Sequence, residues 1–126
     1  TVVQKPEILV QINAAFQKAV GDPNVQVTYG APTVIYVSCK NEDEEIIKGC
    51  NAGVVMENML LEAADLGLGA VYLFGVSQVL FANEEITKLL QIPEGFRTVS
   101  AIAVGTSADA LQERTLGTDK ISTTTL

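Results

Sequence analysis

The sequence predicts one domain in which helices and strands pack in layers, of the α/β or α+β class. Its clearest strands are short apolar runs rich in β-branched and aromatic residues, which begin at Thr33, Ala70 and Val99. Segments with the apolar spacing of helices lie between these runs. The chain has 126 residues, of which 48% are hydrophobic, so it can bury a core of its own.

The longest helical segment runs from Glu44 to Gly69, and most of its surface is apolar. It begins behind the acidic residues 41–45, where an Asn or Asp side chain can cap the first N–H groups, and it ends at Gly67 or Gly69. Its polar residues form one stripe: Lys48, Asn51, Asn58, Glu62 and Asp65. A helix that is apolar on nearly three sides needs more cover than a short chain supplies. We therefore expect a partner subunit against it.

Turn residues and apolar spacing locate the other elements. They predict a strand at Thr1–Gln4, a helix from Lys5 to Val20 stopped by Gly21, strands at Thr33–Val37 and Ala70–Phe74, helical segments at Val76–Phe81 and Asn83–Leu90, and a strand at Val99–Val104. Asn83 is expected to cap its helix. The opening residues already have the character of a core strand, so we expect a segment upstream of Thr1 to be missing or supplied elsewhere.

The last segment, residues 106–126, is rich in Thr, Ser and Gly and has neither helical nor strand periodicity. Leu111, Leu116, Ile121 and Leu126 recur in it every fifth residue. This is more apolar anchoring than a free tail needs, so we expect an extended arm that lies on a neighbouring surface. The alternative is a frayed terminus.

Composition and charge exclude several classes of partner. The net charge of −7 and the isoelectric point of about 4.4 argue against nucleic acid and anionic membranes as partners. No apolar run approaches the roughly 18 residues of a membrane span, and without a signal peptide the expected location is the cytoplasm. Cys39 and Cys50 lack metal-ligand spacing, so we expect two buried free thiols and no metal site.

The residues by themselves name no catalytic group. The chain has no histidine, and no nucleophile–base pair stands out. Gly67-Leu68-Gly69 ends a helix, whereas a dinucleotide-binding glycine loop precedes one, and Tyr72 stands where the third glycine would be. Glu57 lies away from the polar stripe; it is either the partner of a cation at an interface, which we favour, or a catalytic carboxylate. Redox or proton chemistry would have to come from a cofactor.

The run from Asn51 to Tyr72, NAGVVMENMLLEAADLGLGAVY, resembles the central helix and following strand of the nitroreductase family of FMN-dependent oxidoreductases. Three flanking features resemble the same family in the same order. They are Val2-Val3 before residues 5–9, Ala31-Pro32 before an apolar strand, and Ile86–Leu90 with Ile92-Pro93 before Val99–Gly105.

This resemblance implies a single α+β domain over residues 1–126, with a mixed central sheet flanked by helices, a long central helix and an extended C-terminal arm over residues 106–126. It also implies an intertwined homodimer with FMN at its interface. Hydride would pass from NADH or NADPH to the flavin, and from there to a nitroaromatic, a quinone or a similar small-molecule acceptor.

The family's contacts to the flavin ring match the backbone amides of Phe74 and Gly75, and its basic contact to the FMN phosphate matches Arg114. A second basic residue often stands two positions earlier in the family, where this chain has Gln112. The family's opening Arg-Arg-Ser segment and its Asn- and Pro-containing loop have no match here. The chain is therefore expected to be the C-terminal portion of an enzyme or, alternatively, a truncated non-catalytic dimerising module that no longer binds FMN.

Overall fold

Four strands form the sheet of the computed structural model, which describes residues 1–80, 83–110, 113, 115, 117 and 121–126. They are β1 (Val2–Val3), β2 (Thr33–Lys40), β3 (Gly69–Tyr72) and β4 (Phe96–Gly105). The helices are α1 (Pro6–Val20), α2 (Glu45–Asp65), α3 (Phe74–Leu80) and α4 (Glu84–Leu89). Helices and strands thus occur in the predicted order, and the α+β class is confirmed.

The strand order is β1-β2-β4-β3, and each neighbouring pair is antiparallel. α2 connects β2 to β3, and the two strands run in the same direction, as strands joined by a helix usually do. However, β4 lies between these two strands and runs opposite to both. The described strands therefore form an antiparallel sheet rather than the mixed sheet that the resemblance implied.

The helices lie on both faces of this sheet. On one face, α1, α3 and α4 share a core with the sheet; it contains Ile12, Phe16, Val34, Tyr36, Leu73, Val76, Ile86, Leu90, Ala101 and Ala103. Because side chains alternate along a strand, Ile102 points to the opposite face, where α2 packs across β2, β3 and β4. Of the strands, β4 is buried on both faces over residues 100–103, whereas β2 buries Val34 and Tyr36 and leaves its other face half-buried.

The boundaries of α1 and α4 follow from the residues that predicted them. Pro6 opens α1, and Gly21 closes it with φ of 72°. The Asn83 side chain accepts hydrogen bonds from the N–H groups of Glu85 and Ile86, at 3.0 and 3.2 Å, as an N-cap should.

The strand boundaries differ from the prediction. β2 continues to Lys40 and β4 begins at Phe96, so both are longer than expected. β3 ends at Tyr72, and Phe74 opens α3 instead of ending the strand.

The first turn of α2 is held by an ion cluster and not by the Asn or Asp cap that the sequence suggested. Its N-cap is Glu44, whose side chain makes no capping bond. Lys48, expected in the exposed polar stripe, is only 2% exposed, and its Nζ donates to the Asn41 carbonyl at 2.9 Å and to Glu45 Oε1 at 3.0 Å. The other oxygen of the Glu45 carboxylate accepts from Arg97 of β4. A buried ammonium thus keeps acceptors on two sides, which is what makes its burial tolerable.

The sheet covers only one face of α2. Lys48, Ala52, Met56 and Ala63 are buried. The large apolar side chains on the rest of the helix are exposed, namely Ile46, Ile47, Val54, Val55 and Leu61. The apolar surface of α2 therefore exceeds the cover that the described residues supply, as the sequence predicted. The partner subunit inferred from it stays a prediction.

The described residues of the 106–126 segment form neither helix nor strand, and Ile121 and Leu126 are exposed. Leu111 and Leu116 lie outside the described residues, so the extended arm stays a prediction.

Cys39 is half-buried and Cys50 is exposed on α2, so the prediction of two buried thiols is wrong for Cys50. Among the described helices, none is long and apolar enough to cross a membrane.

The ion cluster predicts how stability depends on pH. The hydrogen bond from Lys48, assisted by Arg97, lowers the pKa of Glu45 from its ordinary value of 4.5, although desolvation partly opposes this shift. A carboxyl group whose pKa is lowered by folding stabilises the fold above its unfolded pKa, and that contribution is lost as the pH falls through the lowered value. We therefore expect E45Q to lower the urea midpoint at neutral pH and to flatten its decline below about pH 4.5.

Urea titrations at about pH 7 and about pH 3.5 measure both effects. The matched control is E44Q, because Glu44 forms no ion pair among the described residues. This variant should keep the wild-type midpoint at both values. A wild-type acid profile for E45Q would show that the cluster contributes nothing to the pH dependence.

Candidate functional site

The candidate site is the point at which β3 ends and α3 begins. The Leu73 N–H donates to the Ala101 carbonyl at 2.8 Å, which is the last backbone bond between this segment and β4. The chain then turns directly into α3 at Phe74. Gly75 consequently lies in the first turn of a helix, where N–H groups have no acceptor four residues earlier within the helix.

Two aromatic side chains flank this turn. Tyr72 is 37% exposed and Phe74 is 59% exposed, whereas Leu73 between them is buried in the core. Their ring centroids are 5.9 Å apart and the ring planes meet at 60°, an edge-to-face contact. The turn therefore presents an aromatic surface on either side of a buried leucine anchor.

The backbone at Gly75 is open. A Cβ atom built there would meet no atom within 4 Å, so one side of the backbone is free for a flat group to approach. An exposed aromatic surface beside an accessible backbone is a suitable lining for a planar ring, since the aromatic groups give apolar contact and the backbone gives polar contact. The residues present here fit the ring of a flavin.

The structure brings together two of the three predicted site residues. Phe74 and Gly75 lie side by side at the turn. Arg114, predicted at the FMN phosphate, lies outside the described residues, as does Gln112. Glu57, the remaining candidate, is exposed on α2, and its carboxylate forms no ion pair with a described residue.

Sequence reasoning did not find the cluster of Glu45, Lys48 and Arg97. The one available signal was the three-residue spacing of Glu45 and Lys48, which suits an ion pair on a helix.

The Cys39 thiol lies near this cluster. Burial raises the pKa of the thiol and the charge of Asp43 raises it further, whereas the charges of Lys48 and Arg97 lower it and only partly oppose the increase. This thiol is therefore not activated as a nucleophile. Within the described residues, no group of His, Cys, Asp or Glu side chains could hold a metal ion.

The larger cavities around the described residues lie elsewhere. One of about 600 Å³ lies between α1 and α4. Another, of about 500 Å³, runs along α1 and is lined by uncharged residues that include Asn13 and Gln17. A third, of about 450 Å³, lies at the opposite end of β3 beside Gly69. None of the three is lined by Phe74 or Gly75. A ligand at the β3–α3 turn would consequently lie on an open surface of this chain.

Comparison with known proteins identifies the family. A model of the nitroreductase family matches residues 3–106, which is most of the chain. The chain belongs to the nitroreductase family. The match spans all four strands nearly completely, α1 to α4, and the β3–α3 turn that carries Phe74 and Gly75.

Solved nitroreductase structures share its fold. A nitroreductase with bound FMN from Bacteroides fragilis NCTC 9343 matches with a TM-score of 0.80 at 21% identity, over 98% of this chain and 74% of its own. A second with bound FMN, from Desulfitobacterium hafniense DCB-2, has a TM-score of 0.76 at 19% identity, over 98% and 73%. An FMN-dependent nitroreductase from Clostridium difficile R20291 has a TM-score of 0.72 at 22% identity, over 98% and 76%. This nitroreductase-family chain therefore spans about three quarters of each of these three chains.

Proposed function

We propose that the chain is part of an FMN-dependent oxidoreductase of the cytoplasm. It would transfer hydride from NADH or NADPH through FMN to a nitroaromatic, a quinone or a similar small-molecule acceptor. The observation that carries the proposal is the β3–α3 turn, where an accessible glycine backbone lies beside two exposed aromatic side chains. Membership of the nitroreductase family and the FMN named with its structural relatives support the choice of flavin.

The chain's own residues would bind and orient the ring. Bound FMN supplies the hydride chemistry, which explains how a chain without histidine can serve an oxidoreductase. The backbone at Phe74 and Gly75 would lie against the polar edge of the ring. Because Gly75 has no side chain, the ring can approach the backbone closely, and the rings of Tyr72 and Phe74 would keep water from its flank.

Arg114 would hold the phosphate of the cofactor. A phosphate dianion needs cationic or N–H partners, and a charge-assisted hydrogen bond contributes roughly 1.5–3 kcal/mol. Arg114 and Arg97 are the arginines of the chain, and Arg97 is engaged with Glu45. The family resemblance assigns the phosphate contact to Arg114.

The proposal is tested by purifying the 126-residue chain, titrating it with FMN, and following NADH or NADPH oxidation with a nitroaromatic or quinone acceptor. We expect a preparation that is colourless or nearly so, flavin binding on titration, and acceptor-dependent turnover by the loaded chain. A folded chain that binds no FMN at millimolar concentration would favour the alternative, a non-catalytic dimerising module of the same fold.

Replacing Arg114 tests the phosphate contact. We expect R114A to raise the Kd for FMN by about tenfold to a hundredfold, because one charge-assisted contact is lost. The thermal midpoint without flavin should not change. Riboflavin, which lacks the phosphate, should bind wild type and R114A alike. The control K18A removes a cation at the end of α1 and should leave the Kd unchanged. Equal FMN affinities of R114A and wild type would show that Arg114 does not bind the FMN phosphate.

The same proposal includes a homodimer built on α2. The outer face of this helix exposes large apolar side chains along its length, and a second chain could cover them. A Cβ atom built at Gly49 or Gly53 of the same helix would meet no atom within 4 Å, so another backbone has room to approach.

A charge on the outer face of α2 should disrupt this dimer. Val54 is 64% exposed in the chain, so V54D should leave the fold of one chain intact while it buries an unpaired carboxylate in the dimer. We expect light scattering to show a dimer for wild type and a monomer for V54D at micromolar concentration. The control V55D places the same charge at a neighbouring exposed position on the side of the polar stripe and should remain dimeric. A monomeric wild type would contradict the proposed dimer.

A further inference from the structure

The cavity of about 500 Å³ along α1, here the α1 groove, has two walls of different origin. One wall is a single face of α1, with Leu9, Asn13 and Gln17 among its residues. The other is the loop before β2, with Thr28 and Pro32 among its residues. None of the described residues that line the groove is charged, although 18% of the chain is. The groove therefore suits a neutral molecule, because a desolvated charge would find no counter-charge in it.

Two side-chain amides of α1 are fixed in this groove by one atom each. Asn13 Oδ1 accepts from the Val27 N–H at 2.9 Å, and Gln17 Nε2 donates to the Val25 carbonyl at 2.9 Å. These bonds tie the loop to the helix, and they also decide which end of each amide is left over. The Asn13 NH2 group and the Gln17 Oε1 atom form no hydrogen bond with a described residue and are open to solvent. One donor and one acceptor thus remain accessible on the helix wall.

This donor and this acceptor complement a single functional group. Asn13 and Gln17 are four residues apart, so their side chains are neighbours on the surface of α1. A carboxamide, or the O=C–N–H edge of a lactam ring, offers an oxygen to the Asn13 NH2 group and an N–H to Gln17 Oε1. A carboxylate has no N–H to donate, and an ammonium has no oxygen to accept. Leu9, Val10 and Pro32 line the same groove and offer apolar contact to the ring that carries the amide.

The loop wall is fixed without a ligand. The Ala31 N–H donates to the Thr28 carbonyl at 2.9 Å, and the two residues between them both have positive φ, 54° and 72°. They form a tight turn that leaves the backbone little freedom. Pro32 then packs closely on β4, since a Cβ atom built at Gly105 would lie 2.7 Å from Pro32 Cδ. Walls held in this way need little further ordering when a ligand enters, which favours binding.

We propose that the α1 groove is a second binding site, and that it takes a small neutral molecule with a carboxamide or lactam group on an apolar ring. The leftover donor and acceptor on α1 would bind the two ends of the amide. The site is separate from the β3–α3 turn, because neither Phe74 nor Gly75 lines the groove. The inference depends neither on flavin binding nor on a dimer.

Two-dimensional NMR of the 13.4 kDa chain, with benzamide as the probe, tests this inference. We expect benzamide to shift backbone amide signals of α1 and of residues 25–32, with a Kd on the order of 1 mM. Acetophenone has the same ring and carbonyl but no N–H, and benzoate has a charged carboxylate instead. Each should bind about threefold to tenfold more weakly, because the hydrogen bond to Gln17 Oε1 is lost. Equal binding of all three probes would overturn the inference, since only the apolar ring would then be recognised.

The variant N13D removes the donor and keeps the contact with the loop. An Asp carboxylate still accepts from the Val27 N–H, but it has no NH2 group and its charge repels a carbonyl oxygen. We expect the Kd for benzamide to rise by about tenfold, with little change in the urea midpoint. The matched control N24D makes the same change at an exposed residue of the loop outside the groove and should keep the wild-type Kd.

Wild-type affinity of a folded N13D would overturn the proposed amide contact. If N13D does not fold, the comparison of the three probes on the wild type decides. Shifts confined to residues 72–75 would place benzamide at the candidate flavin site and also overturn the inference, as would the absence of shifts at the solubility limit of benzamide. A chain that binds benzamide in the α1 groove but binds no FMN would uphold this inference while the proposed function fails.

Discussion

The one-sided burial of α2 is the constraint on which the rest of this structure depends. A 21-residue helix lies across three strands of a four-stranded sheet, and the sheet can cover only one of its faces. That face is fixed by small and flexible side chains, Ala52, Met56 and Ala63, and by a buried lysine at its start. The large aliphatic side chains remain outside. One side of α2 therefore faces the core, and the opposite side is the one proposed here to associate with a second chain.

The β3–α3 turn is positioned by the same packing. Because α2 leads directly into β3, the burial of Ala63 and the pairing of β3 with β4 determine where Tyr72 ends the strand. Leu73 then enters the core on the α1 side, which leaves the aromatic rings before and after it exposed. A surface suited to a planar ligand therefore arises from a change of backbone direction around a single buried leucine.

Most of the fold could be predicted from the sequence, because its boundaries depend on local chemistry. Pro6, Gly21 and Asn83 act through their own backbone or side chain, and each lies where it was expected. The misses depend on distant residues. Strand order is not encoded in an apolar run, so the insertion of β4 between β2 and β3 could not be foreseen. The burial of Lys48 requires acceptors from Asn41 and Glu45, whose position depends on Arg97 of β4.

The candidate site could be predicted less completely. Phe74 and Gly75 were identified through a family resemblance, and their exposure could not be derived from a run that has the character of a continuous strand. The edge-to-face contact of Tyr72 and Phe74 arises at the exit from β3, which no local pattern marks. Glu57 was recognised as unusual from its position on the helix alone. Its exposure on the side of α2 away from the sheet was known only once the buried face of the helix had been determined.

The central position of β4 determines how this sheet can assemble. β4 is made after β2 and β3 and lies between them, so neither of these strands can pair with it until residues 96–105 have been synthesised. Contacts between segments so far apart in sequence close slowly, because the loop entropy is lost before the contacts form. Until then the apolar edges of β2 and β3 and both faces of α2 are exposed together. A nascent chain is therefore exposed to aggregation until β4 emerges, and the pairing of β4 with both neighbours then covers these edges together.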